Sequence, residues 1–124
     1  MIDQIFLYVG SALTILWGIV HLFPTKSVVE GFGEISLDNE RIITMEWITE
    51  GVALFFIGVL VATVTAIDPA SGTSMAVYLI AVIELLVLAV VSLLTGFRVD
   101  FVAFKLCPFI FTGSAILILF GGLL

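Results

Sequence analysis

Charged residues, basic residues in particular, and cysteine are scarce in this sequence, and the scarcity of each excludes a class of protein or of site. Four basic and ten acidic residues make up 11% of the 124-residue chain, against about 25% in a soluble domain. With so few Lys and Arg and a net charge of -6, the chain lacks the basic clusters that phosphate contacts require, which excludes nucleic acid as a partner. The single cysteine, Cys107, excludes an intrachain disulfide, a CxxC redox pair and a thiolate metal cluster.

Apolar residues, by contrast, are far too abundant for a soluble domain. They account for 62% of the chain, where about 45–50% is usual, and the mean hydropathy is +1.36. A single small core could not bury so much apolar surface, so the sequence predicts an integral membrane protein. Uninterrupted apolar runs predict four spans, at about 5–23, 42–67, 75–94 and 99–124.

The links between these spans predict an all-α fold, an antiparallel four-helix transmembrane bundle. The second and third links are short, which forces neighbouring spans to run in opposite directions. The first link, 25–41, is long and mixes apolar with charged residues, and Gly31 and Gly33 interrupt any continuous helix. We therefore expect a short interfacial segment here, with its apolar side against the mouth of the bundle.

All four basic residues fall at one end of the predicted bundle, called here the basic end: the end that holds links 25–41 and 95–99. Cytoplasmic loops of membrane proteins carry an excess of Lys and Arg. The pattern therefore predicts a multi-pass protein of the cell membrane with a cytoplasmic basic end and both termini outside. The four residues are Lys26, Arg41, Arg98 and Lys105.

Ionisable residues inside the spans are candidate site residues, because such groups are costly in lipid and usually face the bundle interior or water. His21 lies near the basic end of span 1 and Glu84 near the middle of span 3. Glu46 and Glu50 are four residues apart and share one face of span 2. Of these residues, Glu50, Glu84 and His21 are the candidates for a catalytic role.

These groups predict one polar cavity that opens at the basic end and has Glu84 as its floor. Arg98 and Lys105, at the start of span 4, are the only cations able to meet the carboxylates. A purely structural interpretation stays open, in which the two cations pair with Glu46 and Glu50 and hold spans 2 and 4 together. The predicted ligand-binding residues are His21, Glu46, Trp47, Glu50, Glu84, Arg98 and Lys105.

A metal site is not expected, because the Glu-x-x-His pairs of di-iron bundles and the HExxH motif are both absent. Small residues form stripes at helical spacing in two spans, a pattern typical of helix contacts in membranes. We therefore expect a homo-oligomer or a subunit of a membrane complex. The stripes are Gly10, Thr14 and Gly18 in span 1, and Gly51 and Gly58 beside Trp47 in span 2.

Several segments together resemble the DoxX-like group of small four-span membrane proteins. They are Leu16-Trp-Gly-Ile-Val-His-Leu-Phe-Pro, the Gly-Phe-Gly of the first link, Met45-Glu-Trp-Ile-Thr-Glu-Gly, Phe104-Lys and Thr112-Gly-Ser. Members of this group are similar to membrane subunits associated with quinone-linked or sulfur oxidoreductases, so the resemblance implies a quinone-like ligand. Where the group tends to have a lysine at the end of span 1, this chain has His21.

Three hypotheses for function remain open. The first is a binding or accessory module whose cavity holds a small hydrophobic or quinone-like ligand. The second is an isomerase-type enzyme that moves protons on a lipid-like substrate through Glu50, Glu84 and His21; a fainter likeness to the sterol-isomerase-like membrane domain, echoed by Glu46 and Trp47, points the same way. The third is a proton- or cation-coupled transporter, which would need a dimer because four spans contain no inverted repeat.

Overall fold

The computed structural model describes residues 1–124 and is a four-helix membrane bundle with no β-strand. Four of its helices are long and apolar enough to cross a membrane. A short helix lies in the first link, as predicted for an interfacial segment, and a 3-10 turn, Gly96–Arg98, lies in the third. The helices are α1 (Ile2–Leu22), α2 (Thr25–Glu30), α3 (Leu37–Ile67), α4 (Gly72–Leu94) and α5 (Val102–Leu123).

Local sequence accounts for where the helices begin and end. The side-chain oxygens of Ser36 and Ser71 accept the backbone N–H of Asn39 and Ser74, which caps the start of α3 and α4. Helix α2 ends at Gly31, and Gly33 follows with a φ of +74°, a left-handed conformation that glycine adopts without a steric penalty. The first link therefore cannot continue as one helix into α3.

Helix α3 begins five residues before the predicted span, at Leu37 rather than at residue 42. Its 31 residues extend about 46 Å at 1.5 Å per residue, more than the roughly 30 Å of a hydrocarbon core. The capped, charged first turns lengthen the helix without lengthening its apolar stretch. A 20-residue span counted back from Ile67 begins at Ile48, so Glu50 lies within the apolar core and Glu46 at its boundary.

Helices α1 and α5 hold the central positions in the bundle, because α1 packs against both α3 and α5, and α5 packs against both α1 and α4. Glycines allow the close approach: a Cβ at Gly18 would come within 2.7 Å of the Gly51 carbonyl oxygen, and one at Gly10 within 3.1 Å of the Ser114 carbonyl oxygen. The predicted small-residue stripes are thus helix contacts inside one chain. They lend no support to the predicted oligomer.

Helices α3 and α4 are joined at one end and separate towards the other. Next to their connecting loop, the Thr65 and Tyr78 hydroxyls lie 3.0 Å apart, and Ser74 Oγ donates to the carbonyl oxygens of Asp68 and Val64 at 2.6 and 3.3 Å. Over the rest of their length the two helices have little contact. This divergence leaves a space between them in the half of the bundle nearer the basic end.

Candidate functional site

A cavity of about 1000 Å³, called here the lateral cleft, occupies the space between α3 and α4. It extends from the first link, where Val28 and Phe32 line it, to Ile57 and Glu84 near the middle of the spans. Most of its wall is apolar. The predicted cavity at the basic end therefore exists, but it opens between two helices and is largely hydrophobic rather than polar.

Three carboxylates line this apolar cleft. Glu46 and Glu50 enter it from the same face of α3, as their spacing predicts, and Glu84 enters it from α4. Neither Glu46 nor Glu84 takes part in an ion pair. Glu46 and Glu84 are exposed, whereas Glu50 is half-buried, with 43% of its side chain exposed. The cleft thus offers acidic groups without any basic side chain in its wall.

Glu84 is the most unusual of the three because of its depth. It lies ten residues before Leu94, the end of α4, or about 15 Å from that end along the helix axis, which is half the thickness of a bilayer core. An ionisable side chain at this depth is costly and marks a functional site by default. Glu84 forms no ion pair with any cation of the chain.

A cluster of three side chains forms the wall between α1 and α3. His21 Nε2 lies 3.5 Å from Glu50 Oε2. The imidazole of His21 stacks on the Trp47 indole, with ring centroids 3.9 Å apart and an interplanar angle of 17°. Trp47 Nε1 donates a 2.8 Å hydrogen bond to the His21 carbonyl oxygen, and the edge of the indole meets Phe104 of α5. The indole is therefore fixed in position by a hydrogen bond and two ring contacts.

A second, smaller cavity of about 370 Å³, called here the inner cavity, lies behind Trp47 between α1 and α5. Trp17, His21, Ala103 and Cys107 line it, and Trp47 lines both this cavity and the cleft. The His21 side chain is only 6% exposed. Two buried nitrogens here, Trp17 Nε1 and His21 Nε2, have no hydrogen-bond partner in the protein.

The structure brings five of the seven predicted ligand-binding residues to the two cavities and leaves two outside them. Glu46, Trp47, Glu50 and Glu84 line the cleft, and His21 lines the inner cavity.

Arg98 and Lys105 line neither cavity, which corrects the prediction for both. Lys105 Nζ donates to the Phe97 carbonyl oxygen at 3.0 Å and lies 5.4 Å from the centre of the Phe97 ring. Arg98 is exposed in the 3-10 turn. Both cations are thus held at the third link, and the predicted pairing of Glu46 and Glu50 with them does not form.

Trp17 and Cys107 also line the inner cavity, and neither is among the site residues predicted from the sequence. Trp17 precedes His21 by four residues on α1, so the two side chains share a face, and this spacing was the available signal. Cys107 is brought to the same cavity only by the packing of α5 on α1. No group of three or more His, Cys, Asp or Glu side chains lies close enough together to hold a metal ion.

Comparisons with family models, with curated proteins and with solved structures found no match for this chain. The resemblance to the DoxX-like group therefore stays a prediction. The evidence that bears on function is therefore the size and lining of the two cavities.

Proposed function

We propose that this multi-pass membrane protein binds a small hydrophobic ligand, quinone-like in size and polarity, in the lateral cleft. A cleft of about 1000 Å³ has the size of a small-molecule site, which is typically apolar with a few well-placed polar groups. Its position between two spans gives a lipid-dissolved molecule a direct route from the bilayer. We also propose that the protein acts as an accessory subunit of a larger membrane complex or as an oligomer.

The unpaired carboxyl of Glu84 is the observation that carries the proposal. A structural role would require a partner for it, and the chain supplies none. A bound molecule with a polar group at mid-membrane depth would provide that partner. Glu46 and Glu50, nearer the basic end, would meet polar groups of a ligand that enters at the membrane boundary.

Intrinsic fluorescence makes the binding test direct, because Trp17 and Trp47 are the only two tryptophans and both line the cavities. A fully substituted benzoquinone with a decyl tail, added to the protein in lipid nanodiscs, should quench this fluorescence with saturation. Native mass spectrometry of protein extracted from its own membrane would, in parallel, identify a bound lipid-like molecule or partner subunits.

Matched variants locate the binding site in the cleft. Ala53 lines the cleft while its neighbour Val52, 40% exposed, does not. Both Ala53→Trp and Val52→Trp add an indole to the same turn of α3. We expect Ala53→Trp to abolish saturable binding, because its indole would fill the cleft, and Val52→Trp to leave binding unchanged. Glu84→Gln should reduce retention of the ligand that native mass spectrometry identifies, with the fold intact. Equal quinone affinities in Ala53→Trp and Val52→Trp would contradict binding in the cleft.

A second candidate function is an isomerase-type reaction on a lipid-like substrate, favoured by the 3.5 Å approach of His21 Nε2 to Glu50 Oε2. A carboxylate beside an imidazole can pass a proton to and from a substrate in the cleft. The test is turnover of a double-bond isomer by purified protein. Turnover that persists in Glu50→Gln would refute this role.

We also propose that the basic end is cytoplasmic and that both termini lie outside, because Lys26, Arg41, Arg98 and Lys105 all lie at that end. In a Cys107→Ser background, a cysteine introduced at Lys26 should resist a membrane-impermeant maleimide in intact cells. A cysteine introduced at Gly72, around which space is open, should react. The reverse labelling pattern would invert the proposed orientation.

A further inference from the structure

We propose that the inner cavity is a subsite for the head of the ligand and that it selects a head bearing a neutral hydrogen-bond acceptor, such as a carbonyl oxygen on a single ring. This inference rests on the proposed function, because the rest of the same molecule would occupy the lateral cleft, where a second polar group of the natural ligand would meet Glu84.

Unpartnered hydrogen-bonding groups point to this subsite. The indole nitrogen of Trp17 is a donor only; it makes no regular hydrogen bond, and the sulfur beside it, that of Cys107, is a weak acceptor. His21 Nε2 also makes no hydrogen bond, in a side chain that is only 6% exposed, and faces the Glu50 carboxyl at 3.5 Å. Buried polar groups in proteins nearly always have partners. The cavity therefore supplies the Trp17 N–H as a donor without a strong acceptor.

Size and lining argue against water as the natural occupant. The cavity of about 370 Å³ is roughly twelve times the ~30 Å³ that one water occupies in the liquid, and each buried water needs two to four polar partners. Few polar atoms remain, because Trp47 Nε1 is already bonded to the His21 carbonyl and Cys107 Sγ to the Ala103 carbonyl. A ring with an acceptor oxygen matches the apolar wall and satisfies the Trp17 N–H.

The two cavities adjoin each other, so a molecule that occupies both needs to pass only one shared wall. Pro24, Trp47, Phe101 and Phe104 line the cleft on one side and the inner cavity on the other. Glu50, in the wall of the cleft, lies against His21. An anionic head would be repelled by this carboxylate, so a neutral acceptor is the head that fits.

The test uses the same decyl benzoquinone in nanodiscs, with Trp47 as the reporter in a Trp17→Phe variant. Loss of one neutral hydrogen bond should weaken binding about fivefold. Decylbenzene, which has the same tail and no oxygen, should compete equally well in the wild type and in this variant. An unchanged quinone affinity in Trp17→Phe would overturn the inference.

A second pair of variants keeps the test independent of the tryptophan. Ala103 lines the inner cavity only, and its neighbour Val102 is 69% exposed and lines neither cavity. Ala103→Phe should fill the subsite and weaken quinone binding by roughly tenfold or more, about 1.4 kcal/mol, while Val102→Phe leaves it unchanged.

The combined outcomes separate the two proposals. If Ala53→Trp abolishes quinone binding while Trp17→Phe and Ala103→Phe do not change it, the cleft binds the ligand and the head-group subsite is wrong. If the wild-type protein quenches with neither saturation nor competition, the proposed function fails first, and the subsite with it.

Discussion

The close approach of α1 to α3 at Gly18 predicts a large effect from adding one methyl group. A Cβ at this position would lie 2.7 Å from the Gly51 carbonyl oxygen and 2.7 Å from the Phe55 amide nitrogen. Ordinary van der Waals contact begins at 3.4 Å, so the two helices would have to separate by about 0.7 Å to relieve both contacts. Both obstacles are backbone atoms, which cannot rotate away as a flexible side chain could.

The magnitude follows from two opposing terms. Alanine is favoured over glycine within a helix by about 1 kcal/mol, while overpacking of a tight contact costs about 1–3 kcal/mol. Gly113→Ala is the matched control, since nothing lies within 4 Å of its Cβ position, and it retains only the favourable term. The difference between the two variants therefore isolates the contact term, which we expect to be about 3 kcal/mol because both obstacles are backbone atoms.

Reversible unfolding in mixed micelles by increasing amounts of dodecyl sulfate, followed by circular dichroism, measures this difference. The Gly18→Ala protein should lose helical signal at a clearly lower detergent fraction than Gly113→Ala. Equal midpoints for the two alanine variants would refute the close α1–α3 contact, and with it the central position of α1 in the bundle.

Three further predictions use the same unfolding assay. Glu84→Leu should stabilise the ligand-free bundle by roughly 2 kcal/mol, because it removes an unpaired carboxyl from mid-membrane depth; a destabilised variant would mean that this carboxyl has a structural partner. Tyr78→Phe should lower the stability of the bundle by about 1 kcal/mol, because it removes a buried hydrogen bond to Thr65. The control Tyr8→Phe, at a hydroxyl without a hydrogen-bond partner in the protein, should leave stability unchanged. Equal stabilities of the two variants would contradict the Tyr78 hydrogen bond. Trp47→Phe should lower the stability of the bundle by about 1–3 kcal/mol, because it removes a hydrogen bond and reduces the stacking on His21. Unchanged stability would show that these contacts do not fix the indole in position.

Much of the fold follows from the sequence because bilayer thickness dictates both the length and the apolarity of a span. The length of α3 does not follow in the same way. Its first turns, around Asp38 and Arg41, are polar and helical, and a hydropathy pattern records only the apolar part of a helix. The cap at Ser36 was the signal for the true beginning of α3.

The site was partly predictable for a similar reason. Helical periodicity places Glu46 and Glu50 on one face, and that prediction is confirmed. Periodicity cannot state which neighbouring helix that face meets, so the predicted partners of the carboxylates were wrong: Lys105 bonds to a carbonyl of the third link instead. The separation of α3 from α4, which creates the cleft, depends on tertiary packing that no single span encodes.

The central position of α1 also bears on how the bundle assembles during synthesis. Helix α3 can dock on α1 as soon as it emerges, because both are then in the bilayer. Helix α4 has little surface to pack against until α5 follows it, so it enters the membrane with Glu84 and no docking partner. The mean hydropathy of α4, 2.8, is the highest of the four spans, which favours its insertion, so α5 is needed to dock α4 in the bundle and not to insert it. Truncation of the chain after α4 should leave that helix inserted but unpacked, while α1 and α3 remain paired.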